Sequence, residues 1–295
     1  MVEIRKERRG AKTYYYIEHS VREDGSVRKK RFYVGETLPK NIESMKKKFL
    51  YDIFKEKWFP FLDSIKRAHT KEIKTMPKSA QKKELEHFMI KFTYETQRIE
   101  GSTLSLRETA DLLEKGITPG EKPIADVKEA EAHRNLFYEM LEYKKDLKQQ
   151  IVLLWNKKLL QSTKPDIAGK IRKHQVTITG TTFMPPSPVE VDPMLRDFFR
   201  WYKKKKKIHP VELAALVHLK FVTIHPFGDG NGRISRLMMN FVLYKHKYPL
   251  FSIPYTGRSS YYTALERSQV KKEEYIFVQW FVKRYIKEMK RKFKL

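Results

Sequence analysis

His225-Pro226-Phe227-Gly228-Asp229-Gly230-Asn231-Gly232-Arg233-Ile234-Ser235-Arg236 packs one titratable base, one acid, three glycines and two arginines into twelve positions. Apolar residues at helical spacing flank it on both sides. Upstream, Pro210 opens a run through Leu213, Leu216, Val217 and Phe221; downstream, Ile234, Leu237, Met238, Phe241 and Val242 recur at the same period. The stretch is therefore a loop between two helices, with Asn231 or Gly232 at the start of the second. A mainly α chain is expected around it.

A helix start offers unpaired N–H groups and the positive end of a dipole, which favour an anion. Gly228, Gly230 and Gly232 let the backbone turn sharply and approach a ligand closely. Asp229 would repel a bare phosphate but would hold Mg²⁺ bridging two of them. Arg233 and Arg236 lie three apart and can reach one ligand. His225 adds a base that titrates near neutrality. A histidine at a helix end, an Asp-Gly or Asn-Gly turn and an arginine pair each have an ordinary structural explanation. All of these explanations must hold at once for the loop to be merely structural, and catalysis on a nucleotide accounts for them together.

The 295 residues accommodate one large domain or a medium one with an appendage, and 40% hydrophobic content supplies a core. Zero cysteines exclude disulfides, thiolate metal sites and cysteine nucleophiles. No apolar run approaches the roughly 18 residues that span a bilayer, and the start, Met1 to Lys6, lacks a signal-peptide core. The expected location is the cytoplasm, without a membrane partner. The formal charge of +27 favours polyanions. Yet many lysines share helices with glutamates, as in Lys82-Lys83-Glu84-Leu85-Glu86, which fits a solvated surface equally well. The Lys203–Lys207 run reads as a solvated loop.

Residues 1–40 differ in texture. Lys12 to Val21 is aromatic and β-branched, Asp24-Gly25 supplies a turn, and Val27 to Val34 returns. This reads as a small basic β-meander carrying Arg5, Arg8, Arg9, Arg28, Lys29, Lys30 and Arg31, either a nucleic-acid ribbon or a solvated hairpin. Residues 41–81 form a connecting helical segment. Leu85, Phe88, Met89, Phe92, Thr96 and Ile99 then mark one helix face that Gly101 ends. Ser105-Leu106-Arg107-Glu108 is a capping box for a helix that Gly116 stops. Further helices are expected over about 124–145 and 150–160. Gln175 to Phe183 alternates β-branched residues around Gly180, which predicts a short hairpin blocked by Pro185-Pro186. Residues 281–295 are a basic helix end.

The loop at His225 resembles the signature H-P-F-x-D-G-N-G-R-x-x-R of the Fic family, with every specified position present. Gly169-Lys170-Ile171-Arg172 and Pro185-Pro186 resemble the flap region of that family, and Arg258 to Leu265 its pocket-closing segment. The likeness spans roughly 82–280 and leaves the meander outside. It implies a helical bundle with a β-hairpin flap that transfers AMP from ATP to a Ser, Thr or Tyr hydroxyl of a target protein. By the resemblance, His225 deprotonates the hydroxyl and Asp229 holds Mg²⁺ (or Mn²⁺). Asn231 with the Gly230 and Gly232 N–H groups cradles phosphate, while Arg233 and Arg236 take the β- and γ-phosphates. Phe227 and Gly228 complete the nucleotide loop, Tyr261 and Tyr262 would stack on the base, and Val176, Thr177, Ile178 and Thr179 would dock the target.

Thr96-Gln97-Arg98-Ile99-Glu100-Gly101 is similar to the family's inhibitory motif, [S/T]-x-x-x-E-[G/N], placed ahead of the catalytic core. The resemblance implies that Thr96, Glu100 and Gly101 end an inhibitory helix (about 82–101) and that Glu100 pairs with Arg236; it leaves the oligomeric state open, a homodimer being one option. Two alternatives stay open at this stage. One is removal of AMP from a modified protein by the same site. The other is a nucleic-acid-binding regulator working through the meander.

Overall fold

A computed structural model of the chain describes residues 2–23, 26–205 and 207–295. The turn expected at Asp24-Gly25 lies outside these, as does Lys206 of the lysine run. Two compact units divide the chain, Met1–Asp63 and Ser64–Leu295.

In the first unit β1 (Val2–Arg9), β2 (Lys12–Glu23) and β3 (Ser26–Gly35) form an antiparallel sheet in the order β1-β2-β3. The register sets Ile4 opposite Ile17 and Ile17 opposite Phe32. Side chains alternate across a sheet, so these three share one face. Ile17 is fully buried there, and Phe32 meets Phe49 of α1 (Ile42–Thr75) with ring centroids 6.2 Å apart. The other face carries Tyr14, Tyr16 and Tyr33, with Arg31 over the Tyr16 ring at 4.9 Å.

The second unit is helical. After the C-terminal half of α1 come α2 (Lys78–Ile99), α3 (Leu106–Lys115), α4 (Ile124–Glu142), α5 (Gln149–Leu160), α6 (Pro188–Lys203), α7 (Pro210–Ile224), α8 (Asn231–Lys245), α9 (Arg258–Lys271) and α10 (Glu274–Phe293). The α3 capping box forms as the sequence predicts: Glu108 N–H donates to Ser105 Oγ, Ser105 N–H donates to Glu108, and Gly116 closes the helix in the left-handed region. No helix among the described residues is long and apolar enough to cross a membrane.

Helices α7 and α8 pack against each other and are buried on nearly every face, α7 with mostly apolar residues and α8 with Asn231, Arg233, Ser235, Arg236 and Asn240 among its buried ones, which marks them as the centre of the unit. Phe92, Phe137, Trp155 and Phe241 fill one side; Phe277, Phe281 and Tyr285 fill the other. Burying a residue of this size contributes about 2–3 kcal/mol, so the loop joining α7 to α8 hangs between the two best-anchored helices of the unit.

Two expectations are corrected. Helix α4 stops at Glu142, because Tyr143 turns extended (ψ 107°) and lays its ring against Trp155 and Phe241. Residues 175–183 form no strand pair: both arms are held by side chains instead of by each other. Gln175 Nε2 donates to the Pro185 carbonyl, and the Thr182 N–H and hydroxyl both donate to Glu266. What remains is a segment without strand pairing that turns at Thr179–Gly180, with Gly180 at φ 80°, and whose residues Val176–Thr181 show no backbone–backbone hydrogen bond of good geometry among the described residues.

Candidate active site

His225 ends α7 in the left-handed region, at φ 51° and ψ 59°. That conformation costs a non-glycine residue on the order of 1–3 kcal/mol and persists only where the surroundings fix it. Here the His225 N–H donates to the Phe221 carbonyl (3.0 Å), and the His225 carbonyl accepts from Arg172 Nε (2.7 Å). Imidazole Nδ1 lies 3.2 Å from the Val222 carbonyl. A carbonyl can only accept, so the ring proton sits on Nδ1 and the lone pair on Nε2. Burial lowers the pKa of the ring below the ordinary histidine value; the Val222 bond offsets part of this and Arg172 adds to it. The result is a neutral imidazole with an available base.

Arg172, only 4% exposed, does more than hold His225. Its guanidinium also donates to the carbonyls of His174 (3.0 Å) and Pro186 (2.6 Å), and its N–H to Pro226. One side chain thus ties the 175–183 segment to the histidine loop, and an isolated bridge between Ile171 and Phe227 reinforces the link.

Beyond His225 the loop is stitched from within. Asn231 accepts from the Phe227 N–H and donates to the Phe227 carbonyl, both at 2.9 Å. Its amide is therefore spent on loop geometry, which corrects the expectation that Asn231 itself cradles phosphate. Phe227 is corrected too: it is fully buried against Phe221 and belongs to the core, not to a ligand surface. Gly230 sits at φ 82°, where an added Cβ would lie 3.0 Å from Asn156 Nδ2. Asn156 is the brace behind it, donating to the Asp229 carbonyl (3.0 Å) and accepting from the Gly169 N–H (2.8 Å). Gly228 backs onto Ile167.

These constraints leave the α8 N-terminus facing a charged cluster. Arg233, 3% exposed, bonds Glu129, Asp229 Oδ1 (3.1 Å) and Gln97 Oε1 (3.2 Å). Asp229 also takes Lys164 and the Gly230 N–H. Burial pushes the Asp229 carboxyl up, but Arg233, Lys164 and the Gly230 N–H together hold it below its ordinary value. No group of three His, Cys, Asp or Glu side chains that could hold a metal ion occurs among the described residues. A hard divalent cation sharing one carboxylate with nucleotide phosphates and water needs no such group. Ionised Asp229, 28% exposed, fits that role.

Arg236 is buried (1% exposed) and makes four hydrogen bonds with its five N–H groups. Its Nε donates to Thr96 Oγ1 (2.5 Å), Nη2 to the Thr96 carbonyl (3.3 Å) and to Glu100 Oε1 (2.5 Å), and Nη1 to the Tyr261 hydroxyl (3.3 Å). Glu100 sits just past the C-terminus of α2, where the helix dipole disfavours a carboxylate. Its side chain instead lies against the Gly232 backbone, at the N-terminus of α8, where the dipole favours it. Gly101, at φ 100°, makes the turn that permits this.

Of the two tyrosines expected to face a base, Tyr261 is 1% exposed and bonded to Arg236 and to His218 Nε2 (3.0 Å). It is an internal residue, which corrects the stacking expectation. Tyr262 is part exposed, with its hydroxyl on the Ile99 carbonyl at 3.0 Å. In the 175–183 segment Val176 and Ile178 are half-buried while Thr177 and Thr179 are exposed. Sequence reasoning missed Lys164, Glu129, Gln97 and Asn156. Glu129 carried a signal, an acid on the same face of α4 as His133, Leu136 and Met140. The others carried none, because only folding brings them to the loop.

Residues 146–243 match the model of the Fic/DOC family. The protein adenylyltransferase Fic of Drosophila melanogaster is 35% identical over 178 residues, which is 59% of this chain and 36% of that protein. The protein adenylyltransferase fic-1 of Caenorhabditis elegans is 35% identical over 181 residues, 59% of this chain and 35% of that one. The matched stretch thus spans only about a third of these relatives' own length. A solved Fic-domain signalling protein from Bacteroides thetaiotaomicron superposes with TM-score 0.72 at 27% identity, covering 79% of this chain and 96% of the other. Solved Fic-1 from C. elegans gives TM-score 0.72 at 26% identity, covering 86% and 77%.

Proposed function

We propose that this chain, whose residues 146–243 match the Fic/DOC family model, is a Fic-type protein adenylyltransferase, moving AMP from ATP to a side-chain hydroxyl of a target protein, with its catalytic part within about residues 82–280. The observation that carries the reading is the neutral His225, its Nε2 lone pair available, beside a helix N-terminus built to hold an anion.

In this reading the target oxygen attacks the α-phosphorus of ATP. The bond from that phosphorus to the bridging oxygen breaks, pyrophosphate leaves, and the hydroxyl proton passes to His225 Nε2. Such transfers depend chiefly on in-line positioning and charge stabilisation. The first-turn N–H groups of α8 would bind phosphate oxygens. Arg233 and Arg236 would take the β- and γ-phosphates once their present carboxylate partners give way. Asp229 would hold Mg²⁺ or Mn²⁺, which when bound supplies positive charge to the phosphates. The segment at Val176 to Thr179 would accept a target strand along backbone that is not paired with another strand, bringing a Ser, Thr or Tyr hydroxyl to the histidine.

Glu100 would keep this site silent. Its carboxylate occupies the anion position at the α8 N-terminus and engages the arginine read as the γ-phosphate ligand. ATP bound beside it would be displaced, and about 1 Å of misplacement costs roughly 100-fold in rate. The alternatives draw less support. The curated relatives are named adenylyltransferases. On the meander, Arg31, Arg9 and Lys29 are paired with Glu7 and Glu18.

Intact-mass measurement of the parent, Glu100→Gly and Glu100→Gly/His225→Ala proteins, after incubation with ATP and Mg²⁺, tests the reading on the protein itself and on added candidate targets. An AMP adduct should appear with Glu100→Gly and vanish with the second substitution. Equal inertness of all three would refute it.

A further inference from the structure

Arg236 is held from two sides, and only one of them belongs to the inhibitory helix. Thr96 and Glu100 supply three of its four acceptors, all from α2 or its C-terminal residue. The fourth is the Tyr261 hydroxyl, from α9. When Glu100 gives way, Tyr261 is the anchor that does not depend on α2.

Tyr261 is itself fixed. Its ring is buried, with centroids 5.6 Å from Trp280 and 6.3 Å from Phe277, and its hydroxyl is 3.0 Å from His218 Nε2. His218, on α7, is fully buried and stacks on Phe277 at 5.2 Å. A phenol has one proton to give. If it goes to His218 Nε2, the oxygen lone pairs turn toward Arg236, and each bond polarises the next. That direction requires an unprotonated Nε2, and it is the one the geometry favours: Arg236 can only donate, so Nε2 is the acceptor within reach of the phenol proton. Burial and the nearby Arg236 charge keep the ring neutral, its pKa lying well below the ordinary value.

We propose that Tyr261 and His218 are positioning residues that hold the Arg236 guanidinium in register for the terminal phosphate of a nucleoside triphosphate. They would thereby set the preference for triphosphate over diphosphate. The proposal rests on the reading of Arg236 as the γ-phosphate ligand. Neither residue touches the nucleotide; His218 acts through Tyr261, and Tyr261 through Arg236.

The test uses the full chain carrying Glu100→Gly, with ATP and ADP affinities measured by calorimetry. Tyr261→Phe keeps the ring and removes the hydroxyl. It should weaken ATP by about tenfold, the loss of one hydrogen bond to a charged group, and leave ADP within about twofold. His218→Gln offers an amide oxygen in place of Nε2 and should keep most of the ATP preference; His218→Leu offers none and should behave as Tyr261→Phe does. A Tyr261→Phe protein with its ATP-to-ADP ratio intact overturns the proposal. So does an equal loss for both nucleotides, which is what a merely structural role gives, or identical behaviour of the Gln and Leu variants. Arg236→Ala separates the two levels. If it too leaves the ratio unchanged, the γ-phosphate reading falls and takes the proposal with it. If it abolishes the preference while Tyr261→Phe does not, only the proposal falls.

Discussion

Glu100 Oε1 lies 2.5 Å from Arg236 Nη2, although the two residues are 136 positions apart in the chain. The contact places a carboxylate between the C-terminus of one helix, which repels it, and the N-terminus of another, which attracts it. Replacing Glu100 with Gly therefore removes a competitor for phosphate without opening the core. We expect the AMP-transfer rate to rise by about 100-fold, measured as label incorporated from α-labelled ATP, and ATP affinity to rise with it. An unchanged rate would show that the pair is structural only.

The state of His225 predicts a pH profile. A general base works only when neutral, and the folded-state pKa of this imidazole is lowered, chiefly by burial. For the Glu100→Gly protein, kcat/KM should stay level as pH falls through about 6.5, the ordinary histidine value, and decline only below it. A decline centred at or above that value would contradict the assignment of His225 as a buried neutral base.

At Gly232 an added methyl would collide with Glu100 Oε1 and come within 3.1 Å of Arg236 Nη1. Gly232→Ala should displace the glutamate, yet the same methyl stands where a phosphate would sit. The expected outcome is loss of ATP affinity by at least about tenfold in both parent and Glu100→Gly backgrounds, read by calorimetry. If Gly232→Ala instead activates the parent as Glu100→Gly does, the phosphate does not approach that backbone.

Arg172 satisfies three carbonyl oxygens, those of His225, His174 and Pro186. Arg172→Leu leaves all three without their donor. Losing hydrogen bonds to a charged group at such a site costs at least about 3 kcal/mol, which corresponds to a Tm lower by roughly 6–12 °C. Because the His225 carbonyl is among them, kcat in the Glu100→Gly background should fall further than instability alone explains, when assayed well below the new Tm.

His133 links the cluster to acid stability. It is fully buried, with Nδ1 2.8 Å from Thr93 Oγ1, and burial, aided by Arg233 and Arg236, lowers its pKa to about 3. The unfolded chain takes a proton near 6.5 and the folded one does not, so the unfolded state binds more protons between about 3 and 6.5. Stability is thus lost as pH falls through that window. From pH 7 to about 5 the loss from this one group is about 2 kcal/mol. His133→Gln cannot titrate, so denaturant melts at the two pH values should show a pH-dependent loss smaller by that amount.

Much of this was written locally. The α3 capping box, the glycine stop at Gly116, the start of α7 at Pro210 and the start of α8 at Asn231 follow from neighbours within a few residues. Caps, dipoles and helical periodicity act over about one turn, so the sequence by itself determined a helix–loop–helix with an anion site and a histidine. Gln175 to Phe183 carries the pattern of a hairpin and forms none, because its partners, Glu266 above all, come from a distant helix. Tyr261 departs from expectation for the same reason: an aromatic residue near a helix start looks alike in sequence whether it meets a ligand or a buried arginine. Only the tertiary structure decided that Asn231 is spent on its own loop and that Lys164 and Glu129 neutralise Asp229 and Arg233; the closing of Glu100 on Arg236 was expected from the family resemblance alone, and the fold supplies its geometry. Pairs of charges have no sequence periodicity; they are chosen by which helix ends the packed core brings within hydrogen-bonding distance.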